Sequence, residues 1–123
     1  MDPDFIRDLF APFRPVTIRR MFSGAGVFAD GLMFGLVVRE VIYLKADDST
    51  AADFEREGCA RFTYTRGKKS GRPREHALPY WRLPERLYDD PEQLAAWAGR
   101  AFAAAERKRF KPRGRSRQKR AKK

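Results

Sequence analysis

Residues 16–46, VTIRRMFSGAGVFADGLMFGLVVREVIYLKA, alternate between runs of β-branched and aromatic residues and short breaks. Runs of this composition favour β-strands, because branched and aromatic side chains pack well on a pleated surface. We therefore predict strands at residues 16–22, 24–29, 32–38 and 41–45.

Two of the breaks are only two residues long. Asp30-Gly31 and Arg39-Glu40 separate successive runs, and an Asp-Gly pair is a strong hairpin signal because glycine tolerates positive φ. The predicted sheet is therefore antiparallel. Gly24 and Gly26 invite comparison with a phosphate-binding loop, but they lead into a strand and not into a helix. A tight turn or a bulge beside a closely packed strand is the prediction for them.

Helical patterns flank these strands. Asp2-Pro3 opens a first helix, and a second runs from residues 48–50 through Glu57, with Gly58 at its C-terminal cap. A third begins at Asp90-Pro91 and is amphipathic. Its apolar face consists of Leu94, Trp97, Ala98, Ala101, Phe102 and Ala105.

Two further strands are predicted at residues 61–65 and 77–83, joined by an exposed basic loop at residues 66–74. Pro79 lacks a backbone N–H, which favours an edge position for the second of these strands. The element order predicts an α+β, two-layer fold in which helices pack on one antiparallel sheet, in an order that is α-β-β-β-α-β-β-α-like.

The positive charge is concentrated at the C-terminus. Residues 106–123 contain eleven basic residues and one acid, so they carry +10 of the formal net charge of +11. Residues 1–105 carry the remaining +1 and form the predicted α+β domain. Residues 106–123 have no apolar pattern that could build a core, so we expect a disordered polybasic tail.

Dense charge on a flexible chain suits the phosphates of DNA or RNA. Phe110 is the one aromatic residue in this tail, so we expect binding without sequence specificity. If the loop at residues 66–74 lies on the same face as the tail, the two would form one continuous phosphate-binding surface. The alternative is that both segments are simply solvated. The predicted nucleic-acid-binding residues are Arg107, Lys108, Arg109, Lys111, Arg113, Arg115, Arg117, Lys119, Arg120, Lys122 and Lys123 in the tail, and Lys68, Lys69, Arg72 and Arg74 in the loop.

The inventory of reactive side chains is small. His76 is the one histidine and Cys59 the one cysteine, so a Cys–His nucleophile pair requires these two residues to meet. No spacing typical of metal ligands occurs. We expect no catalytic residues, no metal and no cofactor.

Composition also limits location. The N-terminus is acidic and its apolar residues are interrupted by charges, unlike a secretory signal, and the longest nearly uncharged stretch, residues 31–38, is too short to span a membrane. A single cysteine excludes an internal disulfide. We expect a cytoplasmic protein with no membrane association.

A set of motifs resembles the N-terminal domain of the TfoX (Sxy) family of bacterial competence regulators, over about residues 5–105. The motifs are Arg20–Phe28, Gly31–Gly35, Tyr43–Lys45, Phe62–Tyr64 and Tyr80–Pro84. The resemblance departs at Ser23, where the family usually has a second glycine. It also departs after residue 105, where longer members carry a domain similar to a helix-hairpin-helix module.

The resemblance implies a secretion-chaperone-like α+β fold and a regulatory, non-enzymatic role. In longer members that role is to promote transcription of competence genes together with the cyclic-AMP receptor protein. A protein partner from the transcription machinery and a homodimer are both compatible with it. Two alternatives stay open: an enzyme that modifies or processes nucleic acid, and a chaperone-like dimer that binds proteins.

Overall fold

The computed structural model describes residues 1–21, 24–66 and 74–110. Within these ranges the chain forms three α-helices, one 3₁₀ helix and six strands. In chain order they are α1 (Pro3–Phe10), β1 (Thr17–Met21), β2 (Gly24–Ala29), β3 (Leu32–Val38), β4 (Val41–Lys45), α2 (Ala51–Arg56), β5 (Arg61–Arg66), β6 (Arg74–Arg82), the 3₁₀ helix (Glu85–Asp89) and α3 (Pro91–Phe110).

The six strands form one antiparallel sheet in the order β1-β2-β3-β4-β6-β5. With the helices packed against it, this is the predicted two-layer α+β fold. Four strands precede α2, one more than the predicted element order contains, because each of the four apolar runs in residues 16–46 pairs with the next one.

Both two-residue hairpins have the backbone of a type I′ turn. Asp30 and Gly31 have φ of 50° and 77°, which confirms the hairpin predicted from the Asp-Gly pair. Arg39 and Glu40 also have positive φ, 50° and 64°, although neither is a glycine. The left-handed conformation costs an ordinary L-residue about 1–2 kcal/mol. An ion pair of 2.9 Å joins Glu40 to the Met1 ammonium beside this turn.

The end of α2 has the predicted glycine cap. Gly58 has φ of +75°, and its N–H donates to the Glu55 carbonyl at 3.0 Å. The N–H of Cys59 donates to the Phe54 carbonyl, also at 3.0 Å. These two bonds form a Schellman motif, which satisfies carbonyls that the helix itself leaves unpaired.

The sheet has two different faces, because side chains alternate along each strand. On the helix face, Val27, Val37, Ile42 and Leu44 are buried against the helices. On the opposite side lies the outer face. It consists of Thr17, Arg19, Met21, Gly24, Gly26, Phe28, Met33, Leu36, Val38, Val41, Tyr43, Lys45, Phe62, Tyr64, His76, Tyr80 and Arg82.

A β-bulge breaks the alternation in β3. Val27 pairs with Gly35 and Phe28 pairs with Met33, so Phe34 is the extra residue. Phe34 is fully buried on the helix face, and its ring lies 5.5 Å from that of Phe10. The bulge therefore adds one large aromatic side chain to the core.

The third helix is longer than the predicted domain. α3 continues to Phe110, past the expected boundary at residue 105, and residues 111–123 lie outside the described ranges. Its predicted apolar face is confirmed: Leu94, Trp97, Ala98, Ala101, Phe102 and Ala105 are all buried. None of the helices in the described ranges has the length and apolar character needed to cross a membrane.

The predicted edge position of the strand that contains Pro79 is wrong. β6 lies between β4 and β5, and β5 is the edge strand. Proline is tolerated here because the pairing of β6 with β5 shifts register between Arg61 and Thr63, opposite residues 77–81. The Pro79 carbonyl still accepts a 3.0 Å hydrogen bond from the N–H of Ala46.

Gly24 and Gly26 both lie inside β2, where the structure confirms close packing. A Cβ at Gly24 would lie 2.2 Å from the carbonyl oxygen of Val37. A Cβ at Gly26 would lie 3.0 Å from the sulfur atoms of Met21 and Met33. The glycines therefore provide space for neighbouring strands and side chains. They lie in a strand, whereas the glycines of a phosphate-binding loop lead into the N-terminus of a helix.

Replacing Gly24 should expose this packing constraint. We expect Gly24→Ala to lower the free energy of unfolding by about 1–3 kcal/mol, because the new methyl group must displace backbone. Gly99→Ala is the control: its Cβ would be 3.9 Å from the nearest Phe13 atom, and alanine in a helix should raise stability by about 0.5–1 kcal/mol. Urea unfolding of both variants measures the difference, and equal stabilities would contradict the packing argument.

The Arg39-Glu40 turn offers a second test. We expect Glu40→Gly to raise the free energy of unfolding by about 1 kcal/mol, because glycine adopts φ of 64° without the steric cost. Glu40→Ala is the matched control, since it also removes the ion pair to Met1 but keeps the cost. Thermal unfolding should rank the glycine variant above the alanine variant; the reverse order would show that this turn is unstrained.

Candidate functional site

Four of the predicted nucleic-acid-binding residues lie within the described ranges. Arg107, Lys108 and Arg109 form the last turn of α3 and are exposed. The backbone of Arg74 begins β6. The other predicted residues lie outside the described ranges: Lys68, Lys69, Arg72, Lys111, Arg113, Arg115, Arg117, Lys119, Arg120, Lys122 and Lys123.

Arg107 anchors the last turn of α3 to the segment between β4 and α2. Its Nε donates to Asp47 Oδ2 at 2.7 Å, and its Nη2 donates to Ser49 Oγ at 3.2 Å. A residue expected to belong to a disordered tail is thus bonded to the folded domain. The anchor fixes the point from which the remaining basic sequence continues.

Asp47 is the centre of this contact. Its Oδ1 accepts hydrogen bonds from the N–H and the hydroxyl of Ser49 at 3.0 and 2.8 Å, and its own N–H donates to Thr50 Oγ1. The hydrogen bond from Arg107, supported by those from Ser49, holds the pKa of the Asp47 carboxyl well below its usual range. The carboxylate is therefore ionised and ready to bind Arg107 at neutral pH.

Lys45 is the last residue of β4 and lies on the outer face. Its side chain is unusual for a lysine, since the residue is only 9% exposed and its ammonium lies 5.3 Å from the centre of the Tyr80 ring. Among the described residues it forms no ion pair within 4 Å. Burial, and then the charge of Lys108, lower the pKa of Lys45.

Cys59 and His76 do not form a nucleophile pair. Cys59 follows α2. Tyr64 lies five residues after Cys59 in the chain, and His76 pairs with Tyr64 across β5 and β6. At ~3.3 Å per residue of strand, Cys59 and His76 are on the order of 15 Å apart. Cys59 lines a surface cleft of about 530 Å³ beside Arg82 and Arg86. Burial raises the pKa of its thiol, so the reactive thiolate is disfavoured.

Metal-ligating side chains are scattered. Across residues 1–21, 24–66 and 74–110, no three His, Cys, Asp or Glu side chains come together in a way that could hold a metal ion. Several carboxylates of this part of the chain are instead used in ion pairs. Glu57 is an example, since both of its oxygens accept from Arg86, at 3.0 and 2.7 Å.

Sequence reasoning missed a row of rings on the outer face. The ring centres of Tyr43 and Phe62 lie 5.0 Å apart, those of Phe62 and Tyr64 6.2 Å, and those of Tyr64 and His76 5.2 Å. We call these four residues the ring ladder. The period-two alternation of β5 indicates that Phe62 and Tyr64 share a face. Nothing local places Tyr43 beside them, because β6 lies between β4 and β5.

Comparison with known proteins supports the resemblance predicted from the motifs. The family model described as the TfoX N-terminal domain matches residues 8–105 of the 123-residue chain. No curated protein matches the chain. The matched region covers the sheet and most of α3, and it ends before the anchor residue Arg107.

The anchor predicts a pH-dependent effect. We expect Asp47→Asn to lower the free energy of unfolding by about 1 kcal/mol at pH 7, because the charged hydrogen bond to Arg107 is lost. A carboxyl whose pKa is lowered by folding stabilises the protein above its unfolded pKa and loses that effect as pH falls. The difference should therefore shrink below about pH 4.

Urea unfolding at pH 7 and pH 3 measures this difference. Asp48→Asn is the control, because Asp48 is an exposed neighbour for which no ion pair is found within the described ranges. A destabilisation of Asp47→Asn that is the same at both pH values would contradict the assigned role of the carboxylate.

Proposed function

Because the chain belongs to the TfoX N-terminal domain family, we propose that it is a regulatory protein that binds nucleic acid without sequence specificity through its C-terminal basic sequence. The family supports a competence or regulatory type of protein. The folded domain would serve as an adaptor for a protein partner from the transcription machinery. The cytoplasm is the compartment in which such a protein would act.

The observation that carries the proposal is the continuity of α3 with the basic sequence. Arg107, Lys108 and Arg109 form an exposed basic turn, and the contact between Arg107 and Asp47 holds that turn against the domain. Eight more basic residues follow in residues 111–123, with no acid among them. A polyanion is therefore the natural partner for this end of the chain.

Phosphate binding by such a sequence depends on salt. Each basic residue that neutralises a phosphate releases counterions, so the logarithm of the binding constant falls with the logarithm of the salt concentration, by about 0.9 per phosphate on duplex DNA. Phe110 is the one aromatic residue in this sequence, which supports binding to phosphates more than reading of bases. Regulation would then obtain specificity from the protein partner.

The enzyme alternative has no specific observation in its favour, since Cys59 and His76 are far apart. A chaperone-like dimer would use a sheet face or edge for a polypeptide, and it would leave the charge distribution of the chain unexplained. The regulatory proposal accounts for both the family and the charge distribution.

The test keeps the full chain and changes only its charge. In one variant, every Lys and Arg of residues 111–123 is replaced by Gln; in the control variant, every Arg in that range is replaced by Lys, which keeps the charge. Truncation at residue 105 is unsuitable, because it would also remove the Arg107 anchor. Duplex DNA binding is measured by fluorescence anisotropy at several salt concentrations.

We expect the Gln variant to bind duplex DNA at least about 10-fold more weakly and with a shallower salt dependence, while the Lys control binds like the native protein. If the Gln variant binds duplex DNA as tightly as the native protein, the basic sequence is not the binding element and the proposal fails.

A further inference from the structure

The outer face of the sheet carries recognition chemistry that the regulatory proposal does not use. The helices pack on the other side, around Val27, Val37, Ile42 and Leu44, so within the described ranges no helix covers the outer face. A sheet with one open face exposes its side chains to a ligand over the width of several strands. What these side chains are indicates which ligand fits.

The ring ladder occupies the part of the face formed by β4, β6 and β5. Phe62, Tyr64 and His76 have nearly parallel planes, within 24° and 25° for successive pairs. At centre separations of 6.2 and 5.2 Å the rings are offset and do not fully cover one another. All four ladder residues are partly exposed. Each ladder residue therefore keeps part of its surface accessible from the outer face.

The charges on this face have one sign. Among the residues whose side chains are described, the charged residues that alternate onto the outer face are Arg19, Lys45 and Arg82. Arg82 also lines the cleft of Cys59, where Glu57 and Glu85 are neighbours. Residues 1–105 as a whole carry a formal net charge of only +1. The Arg19 guanidinium lies 5.1 Å from the centre of the Phe28 ring, at the other end of the sheet. The cations of this face are therefore separated, with Arg19 at one end of the sheet and Lys45 and Arg82 beside the ladder.

Lys45 is the most buried cation of the outer face, and the nearest favourable negative charge is that of Asp47. Lys45 is nine-tenths buried, lies over Tyr80 and has no ion-pair partner in the described part of the chain. The nearby Asp47 carboxylate is bonded to Arg107. Because Asp47 is shared with Arg107, a phosphate oxygen beside Lys45 would add negative charge to a buried ammonium.

We propose that the outer face binds single-stranded nucleic acid, with bases stacked on Tyr43, Phe62, Tyr64 and His76 and phosphates bound by the surrounding cations. Accessible rings between basic residues are the chemistry by which sheets bind unpaired bases. A duplex keeps its bases stacked inside and offers such rings nothing to stack on. This site goes beyond the binding proposed for the C-terminal sequence, because it distinguishes single strands from duplex.

The test compares two oligonucleotides on the full-length protein. The probes are oligothymidylate of about 12 nucleotides and a duplex of the same length. The variants are Tyr64→Leu and Phe62→Leu, which remove a ring and keep apolar bulk at partly exposed positions. The control is Phe5→Leu, which removes a 46% exposed ring from α1, on the helix side. Circular dichroism confirms that each variant is folded.

We expect each ladder variant to bind the single strand about 10-fold more weakly, with unchanged duplex affinity and an unchanged salt slope, because stacking releases no counterions. Phe5→Leu should bind both probes like the native protein. Repeating the comparison in the full-length Gln variant of residues 111–123 separates the two sites. There the single-strand preference should persist and then disappear with Tyr64→Leu.

Four results would overturn the proposal. Unchanged single-strand binding in both ladder variants would exclude stacking on this face. An equal loss for single strand and duplex would show that the face does not select unpaired bases. A change in molar mass on replacing Tyr64, with single-strand binding intact, would assign the face to contact between proteins. As a second measurement, photo-crosslinking of 4-thiothymidine in the single strand should label peptides of β5 or β6 in the native chain, and labelling confined to residues 106–123 would also overturn it.

Discussion

Phe34 holds the two layers of this protein together. Its ring is fully buried and contacts Phe10 at 5.5 Å, Phe13 at 5.4 Å and Phe102 at 6.3 Å, so one side chain of β3 connects α1, the turn after it and α3 to the sheet. Edge-to-face packing of this kind stabilises aromatic clusters beyond simple burial. It depends on the bulge, because without the extra residue a strict alternation could not place both Phe34 and Val37 on the helix face.

The same packing explains why the sheet has one open face. The large buried side chains of the helices pack with one face of the sheet in a single core, so this one face is enough to bury them. The opposite face is then free to carry residues chosen for contact with a ligand. It carries the four-ring ladder, while the ion pairs of the domain are mostly made by helices and loops. Under the proposed single-strand binding, the helix face of the sheet would stabilise the fold and the outer face would bind nucleic acid.

The C-terminal basic sequence depends on the domain in a different way. Its charge pattern is the basis of the proposed phosphate binding, and the contact between Arg107 and Asp47 holds its first turn, at the end of α3, against the domain. Asp47 lies two residues after the end of β4 at Lys45. Its bond to Arg107 therefore places the start of the basic sequence near that end of β4. The two proposed binding elements, the basic sequence for phosphates and the outer face for unpaired bases, would then act on one strand of nucleic acid.

Local sequence was enough for the parts of the structure that depend on neighbouring residues. It predicted the runs that form strands, the turn at Asp30-Gly31, the cap at Gly58 and the buried face of α3, since backbone preference and side-chain periodicity act over a few residues. The motif set also predicted the family. Tertiary structure alone determined the interior position of β6, the meeting of Tyr43 with Phe62, and the bond between Arg107 and Asp47. Each of these joins segments that are far apart in the chain, and the free energy that selects such a pairing comes from burying the whole core at once.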